Sequence, residues 1–137
     1  MTETEIDALL RGAEIGVLAT AARSGRPDAT PVWFDFDGQT VRILVHRDSV
    51  KARNIRDNPQ VCLTVDTRRP PYRGVVLHGR GTLAGPDPVL RRQLAERYLG
   101  KETAARYLES TAAFDQEDAL ITVWVESRFS WDYSQGV

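Results

Sequence analysis

A short basic segment that follows a predicted strand carries the residues best suited to bind an anion. Four cations share HRDSVKARNIRDNP (46–59) with two carboxylates: Arg47, Lys51, Arg53, Arg56, Asp48 and Asp57. The segment follows the strand-like run 41–45 and ends at Asn58-Pro59, so it fits a helix of about two turns. The first N–H groups of a helix have no partners within it, and together with the helix dipole they favour a negative charge. The segment therefore predicts an anion site at the start of this helix.

The side chains around that helix start match a phosphate group in particular. Asp48 or Ser49 is the expected N-cap, and the Ser49 hydroxyl can donate to a phosphate oxygen. Lys51 projects from the first turn, Arg47 comes from the end of the strand, and Asn54 lies one turn further along. A hydroxyl, backbone amides and several cations together predict a phosphate site. The same residues also fit a solvated helix with surface arginines, and the charge pattern alone leaves both interpretations open.

Composition and charge narrow the class of protein. The 137 residues are 42% hydrophobic and 27% charged, which is typical of a single domain over 1–137. The 18 Lys and Arg are balanced by 19 Asp and Glu, whereas a protein that binds bulk nucleic acid usually carries a basic excess. Cys62 is the single cysteine, so we expect no intrachain disulfide and no zinc-type metal site. The acidic N-terminus is unlike a signal peptide and no apolar run is long enough for a membrane span, so we expect a soluble cytoplasmic protein with neither nucleic-acid nor membrane partner.

Periodicity and turn signals predict a mainly β protein with peripheral helices. Strands are predicted over 16–21, 29–36, 40–46, 60–66, 74–84 and 118–127, with 128–133 continuing or pairing with the last. Asp37-Gly38 is a hairpin signal, and Gly79 and Gly81 indicate a bulge or a bend. Helices are expected over 2–11, within 46–59, over 87–100 and over about 101–112. This order, mostly joined by short turns, predicts a six-stranded antiparallel barrel of the α+β class.

Two helix details can be predicted as well. Thr4 fits the N-cap of the first helix, whose apolar residues then fall on one face. The helix over 87–100 has Asp87 as its cap and an apolar stripe made of Val89, Leu90, Leu94 and Tyr98.

Three longer stretches of the chain carry a more specific resemblance than the basic segment alone. The three that carry it are GVLATAARSGRPDATPVWFDFDG (16–38), RDSVKARNIRDNPQVCLTVD (47–66) and YRGVVLHGRGTL (72–83). Together they resemble the split β-barrel flavin-binding superfamily typified by pyridoxamine 5′-phosphate oxidase. The S-x-K-A-x-x-I-x-x-N-P frame of the middle stretch matches the family's phosphate helix at Ser49, Lys51, Ala52, Ile55, Asn58 and Pro59. Within the superfamily, the chain is most similar to the small reductases that use the deazaflavin coenzyme F-420, over about Ile15 to Tyr133.

The resemblance implies an FMN-binding type of split barrel that forms a homodimer, with two cofactor sites at the subunit interface. It implies that Ser49 and Lys51 hold the cofactor phosphate and that the strand 30–33 contacts the flavin-type ring through its backbone. The cofactor-binding residues that it implies are Thr30, Pro31, Val32, Trp33, Val45, His46, Arg47, Ser49, Lys51, Ala52, Asn54, Asp66, Arg68 and Trp131. The last three would close the site, in one arrangement from the partner subunit. The family frame has an arginine where this chain has Val50, so either one phosphate contact is absent or Arg47 supplies it.

Three functions are consistent with these residues. The first is an oxidoreductase in which a reduced deazaflavin, coenzyme F-420, passes hydride to a small unsaturated organic substrate. The second is an oxidase or reductase of the same fold that uses FMN, and the third is a non-catalytic cofactor-binding protein. No acid–base pair is apparent in the sequence, which suits a reaction whose chemistry rests with the cofactor. Neither a catalytic side chain nor the substrate can be named from the sequence.

Overall fold

The computed structural model describes residues 1–135, which form seven strands, four α-helices and two short 3-10 helices. The α-helices are α1 Glu3–Arg11, α2 Val50–Asp57, α3 Pro88–Leu99 and α4 Lys101–Ser110, and the 3-10 helices are Ala112–Phe114 and Tyr133–Gln135. The strands are β1 Gly16–Ala21, β2 Pro27–Val32, β3 Asp35–Phe36, β4 Thr40–His46, β5 Gln60–Asp66, β6 Arg73–Ala84 and β7 Asp118–Asp132. The α+β class and the peripheral helices predicted from the sequence are confirmed.

The strands form one curled, fully antiparallel sheet in the order β2-β1-β5-β6-β7-β4-β3. A register shift between His78 and Gly79 of β6 confirms the predicted bulge. His78 pairs with Ser127 of β7, whereas Gly79 pairs with Val125. Strand β4 pairs with the start of β7, so His46 is directly opposite Asp118. This register brings the helix start after β4 next to the residues that precede β7.

The predicted count of six strands is wrong, because the strand expected over 29–36 is broken. It divides into β2 and β3 at Trp33 and Phe34. The Tyr98 hydroxyl accepts a hydrogen bond from the Phe34 N–H at 3.2 Å and lies 3.1 Å from the Phe34 carbonyl oxygen. A side chain from α3 therefore satisfies the backbone groups that a neighbouring strand would otherwise pair. The two predicted strand pieces 118–127 and 128–133 instead form the continuous strand β7.

Two helix details also differ from the prediction. Thr2, not Thr4, caps α1 through a capping box with Glu5. In α3, Val89 is 57% exposed, whereas Arg91 is only 8% exposed and occupies the packed face. Arg91 can be buried there because carboxylates outside α3 pair with it.

The hydrophobic core lies on the concave side of the curled sheet and is closed by α1 and α2. Fully buried core side chains include Leu10, Leu18, Phe34, Ile43 and Leu63. Ala52 and Ile55 attach α2 to this core, so the first turn of α2 has a fixed position relative to the sheet. No helix within residues 1–135 has the length and apolar character that crossing a membrane requires.

Candidate functional site

A cavity of about 600 Å³ lies between the sheet and the α3–α4 segment. Its lining comes from the end of β2, the end of β4, the first turn of α2, and the helices before β7. The lining residues are Ile15, Pro31, Val32, Trp33, Leu44, Val45, His46, Ser49, Lys51, Arg91, Leu94, Tyr107, Phe114 and Asp118. Its volume is in the range of small-molecule and cofactor pockets, about 300–1,000 Å³.

The α2 side of the cavity carries donors suited to an anion. Ser49 is the N-cap of α2, as one of the two predicted alternatives has it, and its Oγ accepts the Ala52 N–H at 3.2 Å. Because Oγ acts as the acceptor in that bond, the Ser49 O–H remains able to donate. The N–H groups of Val50 and Lys51 have no acceptor within their helix. None of the ion pairs found within residues 1–135 uses Lys51.

The turn that enters α2 is held in place by His46. Its Nδ1 accepts the Asp48 N–H at 3.0 Å, so the proton of the neutral ring is on Nε2, which lies 3.1 Å from a Glu117 carboxylate oxygen. The Ser49 N–H donates to the His46 carbonyl oxygen at 3.0 Å. Both ring nitrogens are thus engaged in building the turn, which makes His46 a residue that shapes the site.

An aromatic cluster forms the part of the cavity near the end of β2. The Trp33 ring is stacked on Tyr98 with centroids 5.3 Å apart and planes 6° apart, and it is tilted against Tyr107 at 5.6 Å. The Tyr98 hydroxyl also lies 2.9 Å from the Glu14 carbonyl oxygen, which ties α3 to the segment before β1. One face of Trp33 is therefore covered by Tyr98, whose hydroxyl is itself held by the backbone of Phe34 and Glu14.

A buried charged network forms the cavity wall nearest β7. The Arg91 guanidinium is 3.0 Å from Asp115 and 3.6 Å from Asp118, and it donates to the carbonyl and hydroxyl oxygens of Thr111. It also lies over the Tyr107 ring, 5.6 Å from the centroid. Burial raises the pKa of Asp118 above its ordinary value, and the Arg91 guanidinium offsets part of that rise.

The structure brings half of the predicted site residues together around this cavity. Those that line it are Pro31, Val32, Trp33, Val45, His46, Ser49 and Lys51. Thr30 adjoins them on β2, and its hydroxyl oxygen is buried without a hydrogen-bond partner within residues 1–135. Ala52 is buried in the core and contributes its N–H to Ser49. Asn54 is buried as well, and its amide donates to the Thr20 hydroxyl at 3.0 Å, which attaches α2 to β1.

The other predicted residues do not line the cavity. The Arg47 side chain is exposed, and its carbonyl oxygen accepts a hydrogen bond from Arg56 at 2.9 Å. Asp66, Gly74 and Trp131 face one another across β5, β6 and β7. The Trp131 ring covers Gly74 so closely that a Cβ there would be 2.3 Å from the ring. Arg68 is exposed and pairs with Asp66 at 3.1 Å. Asp66, Arg68 and Trp131 thus form a separate group near the end of β5, the start of β6 and the end of β7.

Several lining residues were not predicted, namely Ile15, Leu44, Arg91, Leu94, Tyr107, Phe114 and Asp118. Most of them come from the segment between β6 and β7, which has no local motif of its own. One signal was present in the sequence: Arg91 lies three and four residues before Leu94 and Ala95, in the middle of the apolar face of α3. A charge at such a position indicates a buried partner elsewhere in the chain. Within residues 1–135, no group of three or more His, Cys, Asp or Glu is arranged to hold a metal ion.

The family model for pyridoxamine 5′-phosphate oxidase matches residues 2–129, nearly the whole chain. The chain belongs to the pyridoxamine 5′-phosphate oxidase family. Proteins of this family bind flavin-type cofactors and are commonly oxidoreductases, and related members are often dimeric. Ser49 and Lys51, which line the cavity, belong to the S-x-K-A-x-x-I-x-x-N-P frame that resembles the family's phosphate helix.

Several solved structures share the fold with this chain over almost its full length. One is an F-420 reductase, 28% identical, covering 90% of this chain and 94% of its own with a TM-score of 0.77. A conserved hypothetical protein from Mycobacterium tuberculosis is 24% identical, with 100% and 89% covered and a TM-score of 0.78. General Stress Protein 26 from Bacillus anthracis is 20% identical, with 93% and 92% covered and a TM-score of 0.71. The last two likenesses establish the fold alone.

Proposed function

We propose that this member of the pyridoxamine 5′-phosphate oxidase family is an oxidoreductase that uses coenzyme F-420 to reduce a small unsaturated organic molecule. One observation carries the proposal: a single cavity is lined both by Ser49 and Lys51 at the start of α2 and by the end of β2, with Pro31, Val32 and the following Trp33. The first group has donors for a phosphate, and the second offers a strand end against which a flat ring can lie. The 28% identity to an F-420 reductase favours the deazaflavin as the ring.

The donors at α2 are suited to a phosphate ester. The Ser49 hydroxyl, the Lys51 ammonium and the first-turn amides are all donors, and the helix dipole adds a partial positive charge. Asp118 is the carboxylate in the lining, and its pairing with Arg91 reduces its repulsion of an anion. His46 has no nitrogen to spare, so its part is to hold the turn that presents these donors.

The bound deazaflavin would supply the hydride chemistry, as cofactors generally do in such enzymes. The part of the protein is to hold the phosphate through Ser49 and Lys51, to orient the ring along Pro31–Trp33, and to keep water away with the residues of the α3–α4 segment. An enzyme of this kind needs few acid–base side chains, which agrees with a lining in which His46 is engaged on both nitrogens.

A titration of the purified protein with F-420 and FMN, side by side, tests the proposal. We expect F-420 to bind in the micromolar range and Lys51→Ala to weaken it by about 1–3 kcal/mol, the usual cost of a lost charge-assisted hydrogen bond. Arg53→Ala is the matched control, because Arg53 is an exposed cation of the same helix that does not line the cavity. Unchanged affinity in Lys51→Ala contradicts the phosphate site.

Two other functions remain as outcomes of the same titration. Tight binding of FMN with weak binding of F-420 favours the FMN-dependent oxidase or reductase. Tight binding of either cofactor without reduction of any compound in a panel of enones, quinones and nitro compounds favours the non-catalytic cofactor-binding protein. Reduction of a panel member with F-420 as the electron donor supports the proposal directly.

We also propose that the active form is a homodimer. Four large aromatic side chains are strongly exposed: Tyr72 at 47%, Phe129 at 65% and Tyr133 at 49% lie near the start of β6 and the end of β7, and Trp124 at 54% lies in the middle of β7. Several large exposed aromatic side chains on two neighbouring strands are typical of a protein interface. The family resemblance implies that Asp66, Arg68 and Trp131 of such a second copy would help to close the cofactor site. Light scattering should give the mass of two chains; a monomer that binds cofactor at full strength would contradict this arrangement.

A further inference from the structure

The helical wall of the cavity is apolar and uncovered. Tyr107 of α4, Phe114 of the 3-10 helix and Ile15 before β1 all line the cavity, and they are 38%, 52% and 42% exposed. Leu94 of α3 lies among them. Folded proteins seldom leave several large apolar side chains exposed around one concavity unless a ligand or a partner contacts them.

The aromatic side chains on this wall are already positioned. Tyr98 covers one face of Trp33 in parallel, and Tyr107 meets Trp33 at an interplanar angle of 56°. Tyr98 is anchored through its hydroxyl to Phe34 and Glu14, so it cannot swing away without losing those hydrogen bonds. Fixed aromatic rings favour a flat ligand, because offset stacking and edge-to-face contacts both need a planar surface.

The charge on this wall is neutralised within the protein. Arg91 is paired with Asp115 and Asp118 and donates to the carbonyl and hydroxyl oxygens of Thr111, so its charge is balanced and most of its guanidinium donors are used within the protein. Two carboxylates around one cation leave the network with no positive excess, and an anionic ligand beside it would be repelled. The wall therefore suits an uncharged group, in contrast to the α2 side of the same cavity.

Arg91 also fixes the position of the segment that carries Tyr107 and Phe114 relative to β7. It touches the Tyr107 ring, the Thr111 corner that ends α4, Asp115 directly after the 3-10 helix, and Asp118 at the start of β7. The segment that carries Phe114 is thus held at both ends by one side chain. Loss of the guanidinium would free this segment while leaving β2, β4 and α2 in place.

We infer that the wall formed by Leu94, Tyr107 and Phe114, next to the Trp33 that the proposed function assigns to the cofactor ring, is the substrate subsite, that it takes the flat, uncharged, unsaturated ring of an organic molecule, and that Arg91 is its positioning residue. This inference rests on the proposed function in two respects: the α2 side of the cavity is assigned to the cofactor phosphate, and Trp33 to the cofactor ring.

Binding of two matched neutral probes tests the subsite without any turnover. Equilibrium dialysis of cofactor-loaded protein is run with 2-naphthamide, which is flat, and with decahydro-2-naphthamide, which has the same skeleton but puckered rings. We expect the flat probe to bind at least about tenfold more tightly, since aromatic contacts discriminate by geometry. Tyr107→Ala and Phe114→Ala should each weaken the flat probe by roughly fivefold to tenfold, whereas Tyr107→Phe, which keeps the ring, should not. Cofactor affinity should stay within about twofold in all three variants, as for sites with separate contacts.

The role of Arg91 is tested with Arg91→Met and its neighbour Arg92→Met. Arg92 is exposed and outside the cavity lining, so the second variant controls for loss of a cation from α3. We expect Arg91→Met to weaken the flat probe as the Tyr107→Ala variant does, with cofactor affinity retained, and Arg92→Met to behave as wild type. Should Arg91→Met fail to fold, the Tyr107 and Phe114 variants still decide the matter.

Two results would overturn the subsite: equal affinity for the flat and puckered probes, or loss of cofactor affinity in step with probe affinity in Tyr107→Ala and Phe114→Ala. The second result would mean that the wall holds the cofactor itself. A wild-type protein that binds neither F-420 nor FMN but still prefers the flat probe, with the preference lost in Phe114→Ala, would refute the proposed function and leave the subsite standing.

Discussion

The hydroxyl of Tyr98 provides a sharp test of how the site is built. It accepts the Phe34 N–H at 3.2 Å and lies 2.9 Å from the Glu14 carbonyl oxygen and 3.1 Å from that of Phe34, so its single proton serves one of the two carbonyls. Phe34 is fully buried at the break between β2 and β3. Tyr98→Phe removes the hydroxyl but keeps the ring that is stacked on Trp33.

The expected cost follows from the groups left without a partner. A buried N–H that loses its acceptor costs about 1–3 kcal/mol, and the lost donation to a carbonyl adds roughly 0.5–1.5 kcal/mol. Some overlap between the two is expected because they share one oxygen, so we predict that the free energy of unfolding falls by about 2–3 kcal/mol. The matched control is Tyr107→Phe, because the Tyr107 ring lies at the open cavity and is 38% exposed.

Urea denaturation followed by far-ultraviolet circular dichroism measures the change. Hydrogen exchange at the Phe34 amide provides a local measure and should become faster in Tyr98→Phe than in the control. A Tyr98→Phe protein whose free energy of unfolding lies within about 0.5 kcal/mol of wild type, the range of ordinary surface substitutions, would refute this account of the strand break.

The remaining predictions concern the pH dependence of one hairpin and the packing of the bulge. Asp37 accepts two backbone N–H groups and the Thr40 hydroxyl, and these bonds lower the pKa of Asp37 below its ordinary 3.8. Its stabilising effect is therefore present above that value and lost as the pH falls through the lowered pKa, so Asp37→Ala should cost about 1–2 kcal/mol near neutral pH and clearly less near pH 2.5 in thermal unfolding. A cost that is the same at both pH values contradicts the assignment. A Cβ at Gly79 would lie 2.2 Å from the Trp124 carbonyl oxygen, so Gly79→Ala should destabilise by about 1–3 kcal/mol or prevent folding, whereas Gly85→Ala, with no atom within 4 Å, should unfold like wild type in urea.

The sequence predicts those parts of the site that depend on neighbouring residues. The Ser49 cap and the nearby Lys51 belong to one turn of helix, and spacing alone brings them together. Trp33 lies within the predicted strand 29–36, but the break at Trp33 and Phe34 could not be predicted, because the Tyr98 hydroxyl that binds the Phe34 backbone there is 64 residues away. The short turns between strands also predict antiparallel pairing, and Gly79 and Gly81 predict the bulge.

The helical wall could not be predicted, since its contacts depend on tertiary packing. Arg91 pairs with Asp115 and Asp118, which are distant in sequence and lie beside it because α3 and α4 are antiparallel neighbours in the fold. Val89, which has the more apolar side chain, is left in solvent at 57% exposure because the buried face of α3 is formed by Leu90, Arg91, Leu94 and Ala95. Propensity and polarity therefore gave the wrong face at the start of α3, and long-range pairing determined the outcome.

The position of residues 85–117 in the sheet has a consequence for how such proteins diversify. Strand β6 ends at Ala84, which pairs with Leu120 of β7. The helical excursion over 85–117 therefore begins and ends at neighbouring positions of the same strand pair. Its attachments to the barrel include Tyr98 to the Phe34 backbone and Arg97 to the Leu10 carbonyl oxygen at 2.9 Å. Grafting a different excursion that preserves these two anchors would alter which compounds are accepted without remodelling the turn into α2, and laboratory evolution of new reactivity should begin there.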